Sequence, residues 1–544
     1  MIHISLQYNQ YRNYTQAFNC VVTGEAFYQG NLTKDGNLLQ LIDSLELEEH
    51  FIDILNHLNG YYALIKHNDQ QLFAAVDRVR SIPIFYGQKG PDFFLSDSAE
   101  WVRQQVGDAE MGPLAREEFL LTGYVTGPDT LFPGVKQLQA GEALIVQDDR
   151  KSLSIKTIRY YCFIHEYETY KSMENLMEEH DHILFRIFNR LIQLADGRTI
   201  VVPLSGGHDS RLIVLMLKRL KYDNVITFSY GRPGNKESDV SRTVAESLSL
   251  RWEFVPYSNE DWYRWFNSEE RKSYWRFSSG LSSIPHNQDW PAVWYLKNER
   301  LIPDDSIFVP GHSADLPAGS RSSSVPQVYK NNPINQAHAI NSILRYHFSL
   351  RDWSKRSKEL SPIFEKRILM SLGSLNKYPD NASAFESWDI AERQAKFIIN
   401  ALRVYEFWNY QWWLPFWDHE YMQFWSTVPL EFRINQVMYK LFVDNLFYTL
   451  TGFTLPKDEL NLTYKQRLIN LLAPYINQSL KRKLSQIMNH VTTRNIIDEY
   501  KNNPLAWWGR YAKSEQDFLA LIKRIHNLHV DALNSMLYIQ EWHK

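Results

Sequence analysis

The chain has 544 residues, 44% of them hydrophobic and 22% charged, a balance that suits several folded domains and excludes disordered and fibrous classes. Lys and Arg number 59 against 62 Asp and Glu, a net charge of −3, so there is no basic excess of the kind that drives general nucleic-acid binding. Cysteine occurs only at Cys20 and Cys162, which rules out a disulfide scaffold or a cysteine-ligated metal cluster and fits a reducing cytoplasm; no apolar run approaches the roughly 18–20 residues of a membrane span, and the opening residues lack the pattern of a signal peptide.

Up to about residue 150 short apolar runs alternate with Gly, Pro and Asp. Gln71–Asp77, Pro83–Gly87 and Asp92–Ser96 read as strands of a sheet-rich domain spanning 1–155. The polar stretch 147–157 reads as a linker to a second unit, 156–544. There the apolar residues of Lys171–Ala195 fall at helical spacing. Arg198–Leu204 is a β-branched strand candidate, followed by a Gly-Gly turn and a helical Asp209–Leu220; Asn224–Ser229 and Trp252–Pro256 are strands flanking a helical Lys236–Leu248. Strand, helix, strand, helix, strand predicts a parallel α/β sheet, and from about 335 onward the pattern is mainly helical.

Ser205–Ser210, SGGHDS, sits between the strand and helix expected at 198–220. Two glycines let a backbone approach an anion, and Ser205, Ser210 and the N–H groups of a helix N-terminus can donate to phosphate oxygens. The loop lacks the lysine of the Walker motif and the third glycine of the dinucleotide fingerprint. Read alone, it serves equally as an ordinary turn into a helix.

SGGHDS after an apolar strand resembles the SGGxDS pyrophosphate loop of the asparagine synthetase family. The resemblance implies that Ser205, Gly206, Gly207, Asp209 and Ser210 embrace the pyrophosphate of ATP, with Asp209 on magnesium and Leu204 against the adenine. About a hundred residues on, Ser306–Ser320 (SIFVPGHSADLPAGS) resembles the family's second nucleotide motif. Gly311 and Asp315 match its glycine and its magnesium-binding aspartate, while Pro310 stands in the serine position and Leu316 replaces a glutamate. His312 falls at a variable position, where it is an acid, a base, a phosphate ligand or a turn cap.

Gly24–Tyr28, Leu58–Leu64, Ala75–Tyr86, Phe94–Glu100 and Thr130–Gly141 are similar, in order, to segments of the family's glutaminase domain. The N-terminal cysteine on which such glutaminases depend is missing, since Met1 is followed by Ile2 and Cys20 lies too deep to use its own α-amine. Leu414–Asp418 resembles the family's PFLD segment, with Gln411 and Trp413 where a glutamate and an arginine usually face the amino-acid substrate. The family's late lysine has Lys457, Lys465 and Lys440 as candidates, spacing favouring Lys465. Between the two nucleotide motifs, His286, Asn287, Gln288 and Asp289 are candidate substrate contacts or simply a polar loop.

What the resemblance implies is a degenerate Ntn-hydrolase-like α/β/β/α sandwich followed by a doubly wound ATP-binding domain with a helical extension. The implied activity is that of an AMP-forming ligase using ATP and magnesium, which adenylates a carboxylate and passes ammonia or an amine to it, the ammonia arriving free or from a separate glutaminase. The substrate expected is a small-molecule or glycan carboxylate, foremost a uronic acid of surface polysaccharide. Asparagine synthesis, intramolecular amide closure and a non-catalytic role are the alternatives. Neither a nucleic-acid partner nor a membrane span is expected.

Overall fold

The computed structural model describes residues 1–455 and 504–542, apart from 9, 44, 46, 169, 331–332, 505–506 and 526–529. Eleven strands build the N-terminal part: β1 (Ile2–Ser5), β2 (Tyr14–Ala17), β3 (Cys20–Tyr28), β4 (Asn31–Lys34), β5 (Asn59–His67), β6 (Gln71–Val76), β7 (Phe85–Lys89), β8 (Asp92–Ser96), β9 (Lys136–Gln137), β10 (Glu142–Asp148) and β11 (Leu153–Arg159). They form a four-stranded sheet, β1-β8-β7-β9, and a larger sheet ordered β11-β10-β6-β5-β3-β2, with β4 on β3.

Strand periodicity explains how the two sheets stack. Ala63, Ile65, Leu72, Ala74, Val76, Leu144 and Val146 point one way and meet Tyr86, Phe93 and Leu95 of the smaller sheet. Their alternates Tyr62, Leu64, Phe73, Ala75, Ala143 and Ile145 point the other way, onto Leu38, Ile42, Phe51 and Leu55 of two helices, Asp35–Asp43 and Glu48–His57. The helix Ala99–Val106 packs on β7 and β8. The result is the expected α/β/β/α sandwich. The stretch 147–157, however, is no linker: β10 and β11 pair antiparallel from Glu142↔Arg159 to Asp148↔Leu153, and its polar composition is that of an edge strand whose residues 154–157 are exposed.

After the 23-residue helix Met173–Ala195, capped by Ser172, five parallel strands form a third sheet: β12 (Ile200–Pro203), β13 (Val225–Gly231), β14 (Arg251–Pro256), β15 (Ile307–Phe308) and β16 (Gln411–Trp412). Their order is β14-β13-β12-β15-β16, so the direction of winding reverses between β12 and β15. Crevices at the carboxyl ends of such a pair are where open α/β sheets bind ligands. The helices expected after β12 and β13 are present as His208–Arg219 and Lys236–Ser247. Between residues 336 and 451 the chain is mainly helical, and among the described residues no helix is long and apolar enough to cross a membrane.

Candidate functional site

The loop 205–210 leaves the end of β12 and the loop 309–315 leaves the end of β15, so parallel pairing of these two strands sets the two motifs side by side. They touch: a Cβ on Gly311 would stand 2.7 Å from the Ser210 nitrogen and 3.0 Å from the Asp209 Cβ. Only glycine permits that approach.

Gly206 and Gly207 are different. Neither has a positive φ; a Cβ on Gly206 would meet nothing closer than 3.5 Å, so the protein's own packing gives little reason for glycine there, while one on Gly207 would stand 3.3 Å from Ser205 Oγ, a tight contact. Bare backbone there suits a ligand that must come close. Around it, the Ser205 N–H donates to Ser210 Oγ at 3.0 Å, the two hydroxyls lie 3.1 Å apart, and the Gly207 N–H donates to Ser205 Oγ at 3.2 Å. Gly207 caps the helix His208–Arg219 without a side-chain acceptor, leaving the helix's first N–H groups to an anion.

Asp209 and Asp315 face the same crevice. Burial, and then the neighbouring Asp315, push the Asp209 carboxyl well above its ordinary range; burial pushes Asp315 up as well, against the pull of Arg321. The Asp315 N–H reaches Asp209 Oδ2 at 3.4 Å. Two neighbouring buried carboxylates, both raised and Asp209 partly so by Asp315, beside a phosphate-sized cradle, fit a divalent cation of the magnesium type, which takes one or two carboxylates and fills its shell with phosphate oxygens and water.

The remaining candidates divide. Leu204 is 1% exposed, its side chain in the core and its N–H on the Phe228 carbonyl, so only its backbone faces the crevice. Pro310 is buried at the loop's base. His312 is pushed down to about 4 by burial and by His286, against Asp289, and its Nδ1 is buried with no hydrogen-bond partner. His286 and Asp289 lie beside it, His286 Nε2 being 2.8 Å from Asp289 Oδ1, while Asn287 Oδ1 in the same segment accepts from Trp275 Nε1 at 2.8 Å.

Gln411 and Trp413 are not in this site. Gln411 pairs with Ile307, four residues before Gly311, about 13 Å away along the strands at about 3.3 Å per residue. It accepts from Arg198 at 2.6 Å and donates to Glu25. With Tyr61, Trp412 and Trp413 it lines a cavity of about 800 Å³ between the two sheets' domains. Trp413 is 3% exposed and meets Tyr61 edge-on at 4.7 Å. Lys457 and Lys465 lie outside the described residues, and Lys440 is exposed with its Nζ on the Asn435 carbonyl.

Three tyrosines that sequence reasoning did not single out complete the site. Tyr439 donates to Asp209 Oδ1 at 2.8 Å, Tyr421 to the Ala314 carbonyl at 2.9 Å and Tyr405 to Asp289 Oδ2 at 2.9 Å. Each reaches across more than a hundred residues, and no local spacing signals such a pairing. In the sandwich domain the Cys20 thiol is not poised as a nucleophile. Cys20 is buried, its thiol pushed up to about 11 by burial, and the Met1 amine lies at the surface 3.3 Å from Asp148 and 3.7 Å from Asp92.

Residues 45–161 match the family model of a glutamine amidotransferase domain, and residues 192–268 that of asparagine synthase. No curated protein matches the chain. Among solved structures it is similar to a glutamine phosphoribosylpyrophosphate amidotransferase from B. subtilis complexed with ADP and GMP, at 10% identity over 55% of this chain and 63% of that one. It is also similar to an NH3-dependent NAD synthetase from Campylobacter jejuni, at 14% identity over 38% of this chain and 90% of that one. The TM-score is 0.18 in both, too low to carry an argument.

Proposed function

The chain is a member of the asparagine synthetase family, and we propose that it is an ATP-dependent amide-forming ligase that adenylates a carboxylate, releases pyrophosphate and passes ammonia or an amine to the acyl group. The observation that carries this reading is the crevice between the β12 and β15 loops, where Gly206, which the protein's own packing hardly needs, and Gly207 lie beside a pair of buried, raised carboxylates.

In this reading the N–H groups of residues 206–208 and the hydroxyls of Ser205 and Ser210 hold the departing pyrophosphate, and the N-terminus of the helix His208–Arg219 favours its charge. Asp209 and Asp315 hold magnesium, which neutralises charge on the phosphate oxygens. Tyr439 fixes the Asp209 carboxylate, and Arg321, anchored to Asp389 at 2.8 Å, supplies a positive charge next to Asp315. Nitrogen comes from ammonia or an amine in solution or from a separate glutaminase, a reading supported by the buried Cys20 thiol, which is not poised to open glutamine.

For the acceptor we infer a uronic acid of surface polysaccharide. Support comes from the polar segment 286–289 beside the crevice, whose side chains can hydrogen-bond a hydroxylated acceptor. Asp209→Asn and Asp315→Asn should each abolish pyrophosphate release in the presence of a uronic-acid nucleotide; turnover at the parent's rate in both would place the reaction elsewhere.

A further inference from the structure

The segment 284–290 is held more firmly than a covering loop requires. Tyr274 donates to the His286 carbonyl at 2.6 Å, Trp275 to Asn287 Oδ1, and Tyr257 to the Gln288 carbonyl at 2.9 Å. Tyr257 follows β14 directly and stacks on Tyr230 of β13 at 5.3 Å. Asp289 is 5% exposed; one of its oxygens is 2.8 Å from His286 Nε2 and the other accepts from Tyr405, whose ring lies on Phe308 of β15 at 4.5 Å and 16°. The segment is thus bolted to the carboxyl ends of three strands beside the nucleotide loops.

Its imidazole has one nitrogen committed to a carboxylate. With Nε2 set 2.8 Å from Asp289 Oδ1 as an ion pair, Nδ1 is the nitrogen left to take a proton, the arrangement of a base oriented by an acid. The ring is one-quarter exposed, whereas Asp289 behind it is closed off. A second observation points to a ligand here. His312, in the loop after β15, has a buried Nδ1 without a partner, and it interacts electrostatically with both His286 and Asp289.

We propose that His286 accepts the proton of the incoming amine in the amide-forming step, oriented by Asp289, which Tyr405 fixes. This rests on the ligase reading. The amine lone pair forms the C–N bond at the acyl carbon of the acyl-adenylate, the bond from that carbon to the AMP oxygen breaks with its electron pair on AMP, and the N–H proton goes to His286 Nδ1. The charged and titratable groups that face His286 are Asp289 on its own segment, His312 from the β15 loop and Asp531 from the helix Val530–Trp542, with the Tyr274 hydroxyl at its carbonyl. Burial lowers His286, but Asp289 outweighs it, so the base form gains as pH rises through and above the ordinary histidine range.

The two half-reactions separate the roles in the full chain, with UDP-glucuronate as carboxylate probe: ATP–pyrophosphate exchange reads adenylation, and mass spectrometry reads the amide formed with ammonia. His286→Asn should lower ammonia-dependent amide formation about 10²–10⁴-fold more than it lowers exchange, and flatten its rise with pH. Hydroxylamine, largely unprotonated at neutral pH, should recover most of the loss, and Tyr405→Phe should show the same pattern more weakly. His286→Gln serves if the asparagine variant does not fold. Amide formation by His286→Asn at the parent's rate and pH profile would overturn the proposal, as would loss of exchange together with amide formation; both leave the ligase reading standing. A parent silent in exchange would overturn that reading and the proposal with it.

Discussion

The hydroxyl of Tyr439 lies 2.8 Å from Oδ1 of Asp209 and donates to it, joining the helix Val437–Thr451 to the first turn after β12 across 230 residues of sequence. The bond favours the ionised carboxylate in a crevice where burial and Asp315 both oppose ionisation. A hydrogen bond to a charged group is worth about 1.5–3 kcal/mol, so Tyr439→Phe should lower kcat/KM for Mg·ATP by about tenfold or more while the fold persists. Exchange kinetics against ATP concentration, beside a melting curve, check both halves.

The two kinds of glycine should separate fold from ligand. Gly206→Ala places its Cβ 3.5 Å from Val240, an ordinary contact, so the protein should melt within a few degrees of the parent and yet lose pyrophosphate exchange. Gly311→Ala pushes a Cβ to 2.7 Å from the Ser210 nitrogen and should lose both stability and exchange. A Gly206→Ala protein that exchanges normally would mean that no phosphate approaches that backbone.

Glutamine should not be hydrolysed by this chain. Incubation with glutamine is expected to release no glutamate above background, and Cys20→Ser should change nothing in catalysis, because that thiol is buried and pushed up to about 11. Glutamate release that disappears in the serine variant would reverse this.

Behind the second nucleotide loop, Glu386 is fully buried with Arg433, His165 and Tyr329 as partners, and Arg433 in turn donates to the Pro317 carbonyl at 2.6 Å. Glu386→Ala leaves a buried guanidinium unpaired and should cost about 3–5 kcal/mol, read as a shift in the denaturation midpoint. Burial alone would raise the Glu386 carboxyl, but Arg433 and His165 hold it below the ordinary range. Its contribution is therefore full above about pH 4.5, the unfolded value, and fades as pH falls through the lower folded one. The parent should show that acid-side loss and the alanine variant should lack it.

Much of the frame was legible because it is local. The strands 71–76 and 92–96, the helix 173–195 and the alternation from 200 to 256 follow from period and punctuation, and the two nucleotide loops follow from short motifs at strand ends. What stayed hidden depends on contacts between distant residues. The polar stretch 147–157 looks like a linker until β10 supplies its partner. His180 lies in the apolar stripe of its helix, and only the folded chain surrounds it with Tyr421, Phe424, Trp425 and Phe442. Gln411 matches a substrate position in motif order, but its place at the start of β16 turns it toward Glu25 and Arg198 instead. Tyr405 and Tyr439 carry no motif at all.

Nucleotide products give the most direct test of adenylation. Purified full chain would be incubated with Mg·ATP, UDP-glucuronate and ammonia, and the nucleotides separated by ion-exchange chromatography. AMP and pyrophosphate in equal amounts, both absent in Asp209→Asn, are the expected result. ADP and orthophosphate in their place, or AMP formation undiminished in that variant, would contradict an adenylating site between the β12 and β15 loops.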